Sequence, residues 1–371
     1  LTRRKAELDT MTTSDLTTLM KEKMAEEIET KVREKRVGRN LLREDTTLLN
    51  RPGNTLKFKK RGTLQATQAG ENEEADFQRF TQEEGKGYQS ILTVEVNKFR
   101  VASELSTEMI QDGEEDAIEA TEEEIAAAMS DLEDIVCIGA AAGGEWHEET
   151  KNIDGTTSDI DLDENDNTFA IAYIKAEEDI DVGNVDVDEG EFISLSDLHE
   201  INYGDANVVF QDGDEGDGEE VTVGWVGIDD VFIDDDSTEI GSITDINTLR
   251  TEIASNKYDP DTLIVNQANL GDIMDLEQFH DVSKFGNRDV IRDGQVGRIL
   301  GMDVILSSQL PDEYVVALDA EAEPSVLVNK ENLRVQQEGD ISSDSLKIVA
   351  YQRFGVGCLR EDAVYSLQLE E

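Results

Sequence analysis

The chain has 371 residues, enough for two or three domains with a substantial buried core, and carries 86 Asp plus Glu against 33 Lys plus Arg, a formal net charge of −53. So acidic a surface is repelled by nucleic acid and by anionic lipid, because binding there needs Lys and Arg to displace counterions, and this excludes a general DNA-binding or membrane-surface protein. The longest nearly apolar run, Ile135 to Gly144, is about half the ~18 residues that would suggest a membrane-spanning helix, so none is expected.

The chain opens Leu1, Thr2, Arg3, Arg4, Lys5, without a charged-then-apolar secretory signal and without Met, which implies trimming or processing upstream. Ser14 is placed to cap a helix from Asp15 to about Arg36 with an apolar stripe of Leu16, Leu19, Met20, Ile28 and Val32, and Gly38 follows as a stop. That stripe is too short to be a core, so the segment reads as an amphipathic arm that needs a surface to lie on. From Thr55 to Lys60 the residues alternate, Leu56 and Phe58 against Lys57 and Lys59, the period-2 pattern of a half-buried strand, and Ser90 to Val96 repeats it. The stretch between them is rich in Gly, Glu and Gln, so the pair reads as a protruding hairpin with a long polar tip, a length that in a compact domain tends to serve a partner.

After Phe99 a long helical pattern is expected, with Asp112 and Glu115 as a cap pair, Ile118, Ile125, Met129, Leu132 and Val136 as its stripe, and Gly139 closing it. From Glu114 to Cys137 it would run roughly 36 Å. Residues 146–236 hold 30 Asp plus Glu against only Lys151 and Lys175. Apolar clusters at Phe169 to Ile174 and Val221 to Ile233 make a β-rich insertion the expectation there. Thr244 to Ala254 reads as a helix, Thr262 to Asn266 as a strand after Pro260. Short strands are then expected at Arg298 to Ile299, Met302 to Leu306, Tyr314 to Ala317, Ser325 to Val328, Leu346 to Arg353 and Val356 to Arg360.

Two physical states accommodate such acidity: a disordered polyacid, or a folded protein adapted to concentrated salt, where the Debye length is about 3 Å at 1 M. Disorder goes with weak hydrophobic periodicity, whereas here the carboxylates are interleaved with patterned apolar residues such as Val221, Val223, Trp225 and Ile228. The salt-adapted reading follows, and the composition resembles that of extreme halophiles. The charge is uneven: residues 1–61 hold 16 basic and 10 acidic groups, a net of +6, which leaves −59 on residues 62–371. A cationic amino-terminal sixth on an anionic protein is either a solvated helix and arm, or a segment that lies across acidic neighbouring subunits or faces an enclosed genome.

No catalytic constellation is present: no phosphate-binding Gly-rich loop with Lys, no GxGxxG, no GxSxG and no HExxH. The three His, His147, His199 and His280, lack metal-ligand spacing and read as solvated surface groups. Cys137 falls on the helix stripe and Cys358 in a strand, so both read as buried free thiols, with neither a disulfide framework nor a Cys-rich zinc site. Asp159, Asp161, Asp163 and Asp166, and likewise Asp212, Asp214 and Asp217, alternate in the manner of calcium loops, but Glu164 occupies the position where a calcium loop needs Gly, and no Glu stands at the twelfth place. No catalytic residue and no cofactor is expected, and structural cation binding stays open.

The carboxy-terminal third carries a recognisable pattern in YDPDTLIVNQANL (Tyr258 to Leu270), GRILGMDVILSSQLP (Gly297 to Pro311) and VAYQRFGVGCLREDAV (Val349 to Val364). These segments resemble the tailed-virus major capsid protein family with the Hong Kong 97-type fold, departing from it in Gln267 and Asp303, where Pro is common. The Val101 to Leu105 stretch (VASEL) resembles the family's lead into its long helix, and the order arm, hairpin, long helix and returning Arg353-Phe354-Gly355 strand matches as well. The resemblance implies an α+β fold divided into an amino-terminal arm (1–52), an extended β-hairpin loop (53–98), the spine helix of a peripheral domain (99–139), an apical domain (140–324) including the acidic insertion 146–236, and returning peripheral strands (325–371). It also implies a non-enzymatic shell protein of the virion, assembled in the host cytoplasm into hexamers and pentamers around double-stranded DNA. Its partners would be copies of itself, a portal and decoration or turret proteins, with weak DNA contact and no membrane. Together with the acidity it suggests a tailed virus of a halophilic archaeon. An encapsulin-type compartment shares the implied fold, and an acidic extracellular β-domain adhesin or cation-binding protein is the expectation from a different class.

Overall fold

The computed structural model describes residues 37–49, 51–61, 89–106, 108–109, 117–152, 159–161, 167–176, 180–182, 185–187, 192–193, 198–202, 207–210, 220–228, 231–234, 243–275, 295–340 and 344–369. In chain order a 3-10 turn at Gly38–Leu41 leads into β1 (Arg43–Asp45), the hairpin β2 (Thr55–Arg61) and β3 (Gln89–Glu95), β4 (Asn97–Ser106) and helix α1 (Ala117–Ala141). The acidic tract supplies β5 (Glu145–Asn152), β6 (Asp159–Asp161), β7 (Asn167–Ala176), β8 (Ile180–Val182), β9 (Val185–Val187), β10 (Phe192–Ile193), β11 (Leu198–Asn202), β12 (Asn207–Phe210), β13 (Glu220–Ile228) and β14 (Val231–Asp234). Then follow α2 (Ile243–Ser255), β15 (Thr262–Asn266), α3 (Leu270–Asp275), β16 (Gln295–Ile299), β17 (Met302–Ser307), β18 (Tyr314–Leu318), β19 (Ser325–Asp340), β20 (Ser345–Cys358) and β21 (Val364–Leu369).

Three larger sheets meet at the carboxy-terminal half of α1. The first, in order β1-β19-β20-β4, is antiparallel except for the parallel β1–β19 edge, and the amino-terminal half of α1 lies on it. Ile125, Ala126 and Met129 of the helix pack there on Leu105, Val335, Ile348 and Ala350. The second sheet, β14-β21-β18-β15-β17-β16, is mixed and covered on both faces. Because side chains alternate along a strand, Ile264, Val316 and Leu318 turn toward Val136 to Ala141 of α1, while Leu263, Val265, Val315 and Ala317 turn toward Ile246, Leu249 and Ile253 of α2. Burial on both sides explains why β15 and β18 read as unbroken apolar runs. The third sheet, β10-β7-β13-β5, comes from the acidic tract and meets α1 through Ala170 and Val226.

Several expectations hold in detail. The hairpin pairs Thr55 with Glu95 through to Arg61 with Gln89, the α1 stripe is its buried face, and the acidic tract is β-rich wherever it is described. Others need correction. Residues 97–106, including the VASEL segment, form a strand paired along its whole length with β20, so helix begins well after Phe99. Their alternation, with Phe99 and Leu105 buried between exposed neighbours, is the strand period. Nor does Gly139 close the helix: it lies inside α1, where a Cβ would meet Val226 Cγ1 at 2.5 Å, so it serves close packing. The stop is Gly143, at φ +94, with Gly144 N–H donating to Gly139 O (2.9 Å) and Gly143 N–H to Ala140 O (3.2 Å), the paired bonds of a Schellman cap. The strands expected at Leu346 to Arg353 and Val356 to Arg360 are one continuous strand through Gly355, and the one expected at Ser325 to Val328 runs on to Asp340. The tract 325–371 serves two sheets, because β21 joins the six-stranded one. The helix expected at 15–36, its Ser14 cap, the hairpin tip and the Asp112 and Glu115 cap pair lie outside the described residues.

Candidate assembly surfaces

The last part of the expected arm is tied to the body. Gly38 sits directly on α1, where a Cβ would come within 2.9 Å of Cys137 Cβ and 3.2 Å of Asp134 O. The Asp134 carboxylate accepts hydrogen bonds from Gly38 N–H (2.8 Å) and Val37 N–H (3.0 Å). Burial pushes that carboxyl up to about 6; the two backbone donors oppose the shift, and the charges of Glu133 and Asp131 add to it. Beside it Arg39 bridges the buried Glu133 (3.0 Å) and the more exposed Glu44 (2.6 Å). Burial acts to lower the Arg39 pKa, but the two carboxylates outweigh it, so the guanidinium is held charged. Glu44 in turn accepts from Asn329 of β19 (3.3 Å). Leu41, Leu42 and Leu48 are buried, the first two in the central core and Leu48 with Val94, Val96, Val326 and Val328. Periodicity alone missed this anchor, yet a signal existed: Glu133 stands four residues after Met129 and three before Val136, a carboxylate inside the apolar stripe.

Among the described residues the hairpin is docked at its base. Val94, Leu56, Phe58 and Leu92 pack on Val326 and Val328, while Lys57 and Lys59 are exposed. Gly355 and Gly357 of β20 allow the approach, since a Cβ on Gly355 would fall onto the Glu95 carbonyl and one on Gly357 would come within 2.9 Å of Val94 Cγ2. Lys330 of β19 donates to Gly53 O and Asn54 Oδ1, and Arg353 donates to Asn54 Oδ1 (3.2 Å), pinning the turn before β2.

Between the hairpin base and β5 lies a groove of about 360 Å³, lined by Thr93 and Glu95 of β3, by Glu145 to Glu149 of β5, and by Val356 and Gly357 of β20. His147, singled out from the sequence, lies in it and stacks on the buried Trp225 at 4.5 Å between centroids. Glu148 accepts from Tyr173 Oη (2.6 Å) across Gly224, whose missing side chain makes room for the Tyr173 and Trp146 rings. Burial first, and then the Glu148 hydrogen bond and charge, raise the Tyr173 hydroxyl above its ordinary value.

The segments that carry the resemblance form a structural knot. The Asp261 carboxylate accepts from Ala320 N–H (2.9 Å) and Glu321 N–H (3.3 Å), while Asp319 accepts from Asp259 N–H (3.0 Å) and Ala322 N–H (3.0 Å). Asn266 donates to Leu310 O (2.5 Å) and accepts from Ala268 N–H (2.7 Å). Asp303 pairs with Arg298 across the β16–β17 hairpin. Its own N–H donates to Asp261 O (2.7 Å), a bond Pro could not make. Cys137 and Cys358 are both buried and free. The side chains of His199, His280 and the Asp159 to Asp166 and Asp212 to Asp217 clusters lie outside the described set. Among the described residues no group of three His, Cys, Asp or Glu could hold a metal ion, and no helix is long and apolar enough to cross a membrane.

Residues 200–367 match a family described as phage capsid protein. Among solved structures, the chain overlays one from Mycobacterium phage Che8 with a TM-score of 0.52 at 13% identity, over 90% of each chain. It overlays the virus-like particle of Pyrococcus furiosus at 0.48 and 8% identity, over 94% of this chain and 99% of that one. With the mature capsid of bacteriophage PhiM1 the TM-score is 0.47 at 11% identity, over 91% of this chain and 87% of that one. The Che8 overlay shows a shared fold, the Hong Kong 97-type capsid fold, mixed in class and rich in strand. No curated protein matches the chain.

Proposed function

From the match of residues 200–367 to a phage capsid protein family and from the shared fold, we propose that the protein is a tailed-virus major capsid protein, a non-enzymatic shell subunit that assembles with copies of itself, as hexamers and pentamers, into an icosahedral capsid around double-stranded DNA. The observation that carries this reading beyond the fold is the hairpin. An isolated two-stranded ribbon is marginally stable in water, and β2–β3 is buried along one face of its base while Ile91, Lys57 and Lys59 are left exposed. Such an element suits a subunit completed by its neighbours. In the domain reading, 1–52 is the arm, anchored from Val37 onward; 53–98 the extended loop; 99–139 strand and spine helix; 140–324 the apical domain with its acidic insertion; and 325–371 the returning strands. A portal and decoration proteins would complete the virion, with little DNA contact from so acidic a body.

Salt adaptation belongs to the same proposal: at −53 per copy, packing many copies side by side requires the short screening length of about 3 Å found near 1 M salt. Negative-stain microscopy of the purified protein in molar KCl is the test. Closed shells of uniform size are expected, and a chain that stays monomeric at every concentration and ionic strength refutes the reading.

A further inference from the structure

Two strand edges of opposite charge are left unpaired among the described residues. β5 is the outer strand of its sheet, paired only with β13, and β2 pairs only with β3. An unpaired edge presents a row of N–H and C=O groups ready to accept another strand. Along the β5 edge five consecutive residues, Glu145 to Glu149, line the groove described above, so the cavity follows the edge of the strand instead of one face. Three of the five are exposed glutamates, and Glu95 of β3 faces them across the groove. The β2 edge is its complement: the strand reads Thr55-Leu-Lys-Phe-Lys-Lys-Arg61, with no acidic residue and with Lys57 and Lys59 exposed.

Within one chain these edges do not meet. β3 lines the groove and stands between it and β2, which pairs with β3 along its other edge. Main-chain pairing of these two edges is therefore a contact between copies. We propose that the β2 edge of one subunit docks in the groove along the β5 edge of another, by main-chain pairing between strands with Lys57 and Lys59, which share one face of β2, against Glu145 and Glu149, which share one face of β5, and with Glu95 across the groove. This deepens the shell-subunit reading and rests on it, because it specifies which surface of a neighbour receives the hairpin. Glu149 already has a partner in the subunit, Lys151, and Glu148, on the opposite face of β5, keeps its hydrogen bond from Tyr173. The Lys151 pair is partly exposed, so an incoming lysine replaces it at little cost. Opposite charge across an interface sets register and partner choice more than raw affinity, which fits a contact that must align one strand against another.

The test is a charge swap on the full chain. K57E/K59E and E145K/E149K are made separately and then together, in 1 M KCl, with near-ultraviolet circular dichroism checking that each subunit keeps its fold. Each pair alone is expected to raise the concentration needed for association, read by sedimentation and light scattering, by about tenfold or more. An equimolar mixture of the two separately made variants, and the fourfold variant, should recover most of the loss. Unchanged association of either variant overturns the inference, and so does a loss that neither the mixture nor the fourfold variant recovers. If wild type associates but never closes into shells, the capsid reading fails while the swap still reports on the edge contact. If shells form and the swap has no effect, the contact fails and the capsid reading stands.

Discussion

Asp134 concentrates the electrostatics of the arm anchor in one carboxyl. Its folded-state pKa of about 6 lies above the ordinary 3.8, so between those values the native state holds a proton that the unfolded chain has released. The stability this group contributes is complete below about pH 4 and is lost as pH rises through about 6, by an amount of order 3 kcal/mol. Asn at this position keeps an acceptor for Val37 and Gly38 without the charge. D134N should match wild type near pH 4 and be the more stable of the two at pH 7 to 8, in urea melts at fixed molar KCl. A difference between the two proteins that is constant with pH contradicts the assignment. Gly355 is a steric counterpart: a Cβ there runs into the Glu95 carbonyl, which cannot rotate away as a side chain could. G355A should cost about 2 kcal/mol or more, seen as a lowered urea midpoint, whereas alanine at Gly339, with nothing within 4 Å, should cost much less.

At the scale of elements, the arm divides at Val37. Removing residues 1–36 leaves the Asp134 cap donors and the three buried leucines in place, so the truncated subunit should keep its melting temperature while losing shell formation in negative stain. Removing residues 1–49 strips Leu41, Leu42 and Leu48 from two cores and should destabilise by roughly 5 kcal/mol, at about 1.5 to 3 kcal/mol per buried side chain. Equal melting temperatures for the two truncations would show that the anchor is unimportant. These elements also mark what a single sequence can convey. The hairpin strands, the α1 stripe, Thr262 to Asn266 and α2 were legible because alternation and the helical repeat report which side of an element is buried. The groove and the arm anchor were not, because they depend on which elements become neighbours: Glu133 and Arg39 are 94 positions apart, and Glu95 and Glu145 line one groove from strands of different sheets. The strand at residues 97–106 was not legible as one, because its apolar positions stand beside a strong helical repeat and read only as the lead into it.

For the molecule as a whole, charge and topology pull on the same steps. With −59 on residues 62–371, diluting assembled particles from molar to about 0.1 M salt lengthens the screening distance from about 3 Å to about 10 Å. Dissociation or loss of subunit structure is then expected in light scattering and circular dichroism, and a signal unchanged across the dilution counts against salt-dependent assembly. Topology adds a constraint on timing. β21 lies between β14 and β18 in the six-stranded sheet, and β19 and β20 form the middle of the four-stranded one. Both sheets thus remain open until the last strands have been synthesised. A partly made chain that stops short of β20 and β21 has neither half of its body sealed and so lacks the shape needed to join another copy. In the proposed assembly, half-made molecules would thereby be kept out of a growing shell.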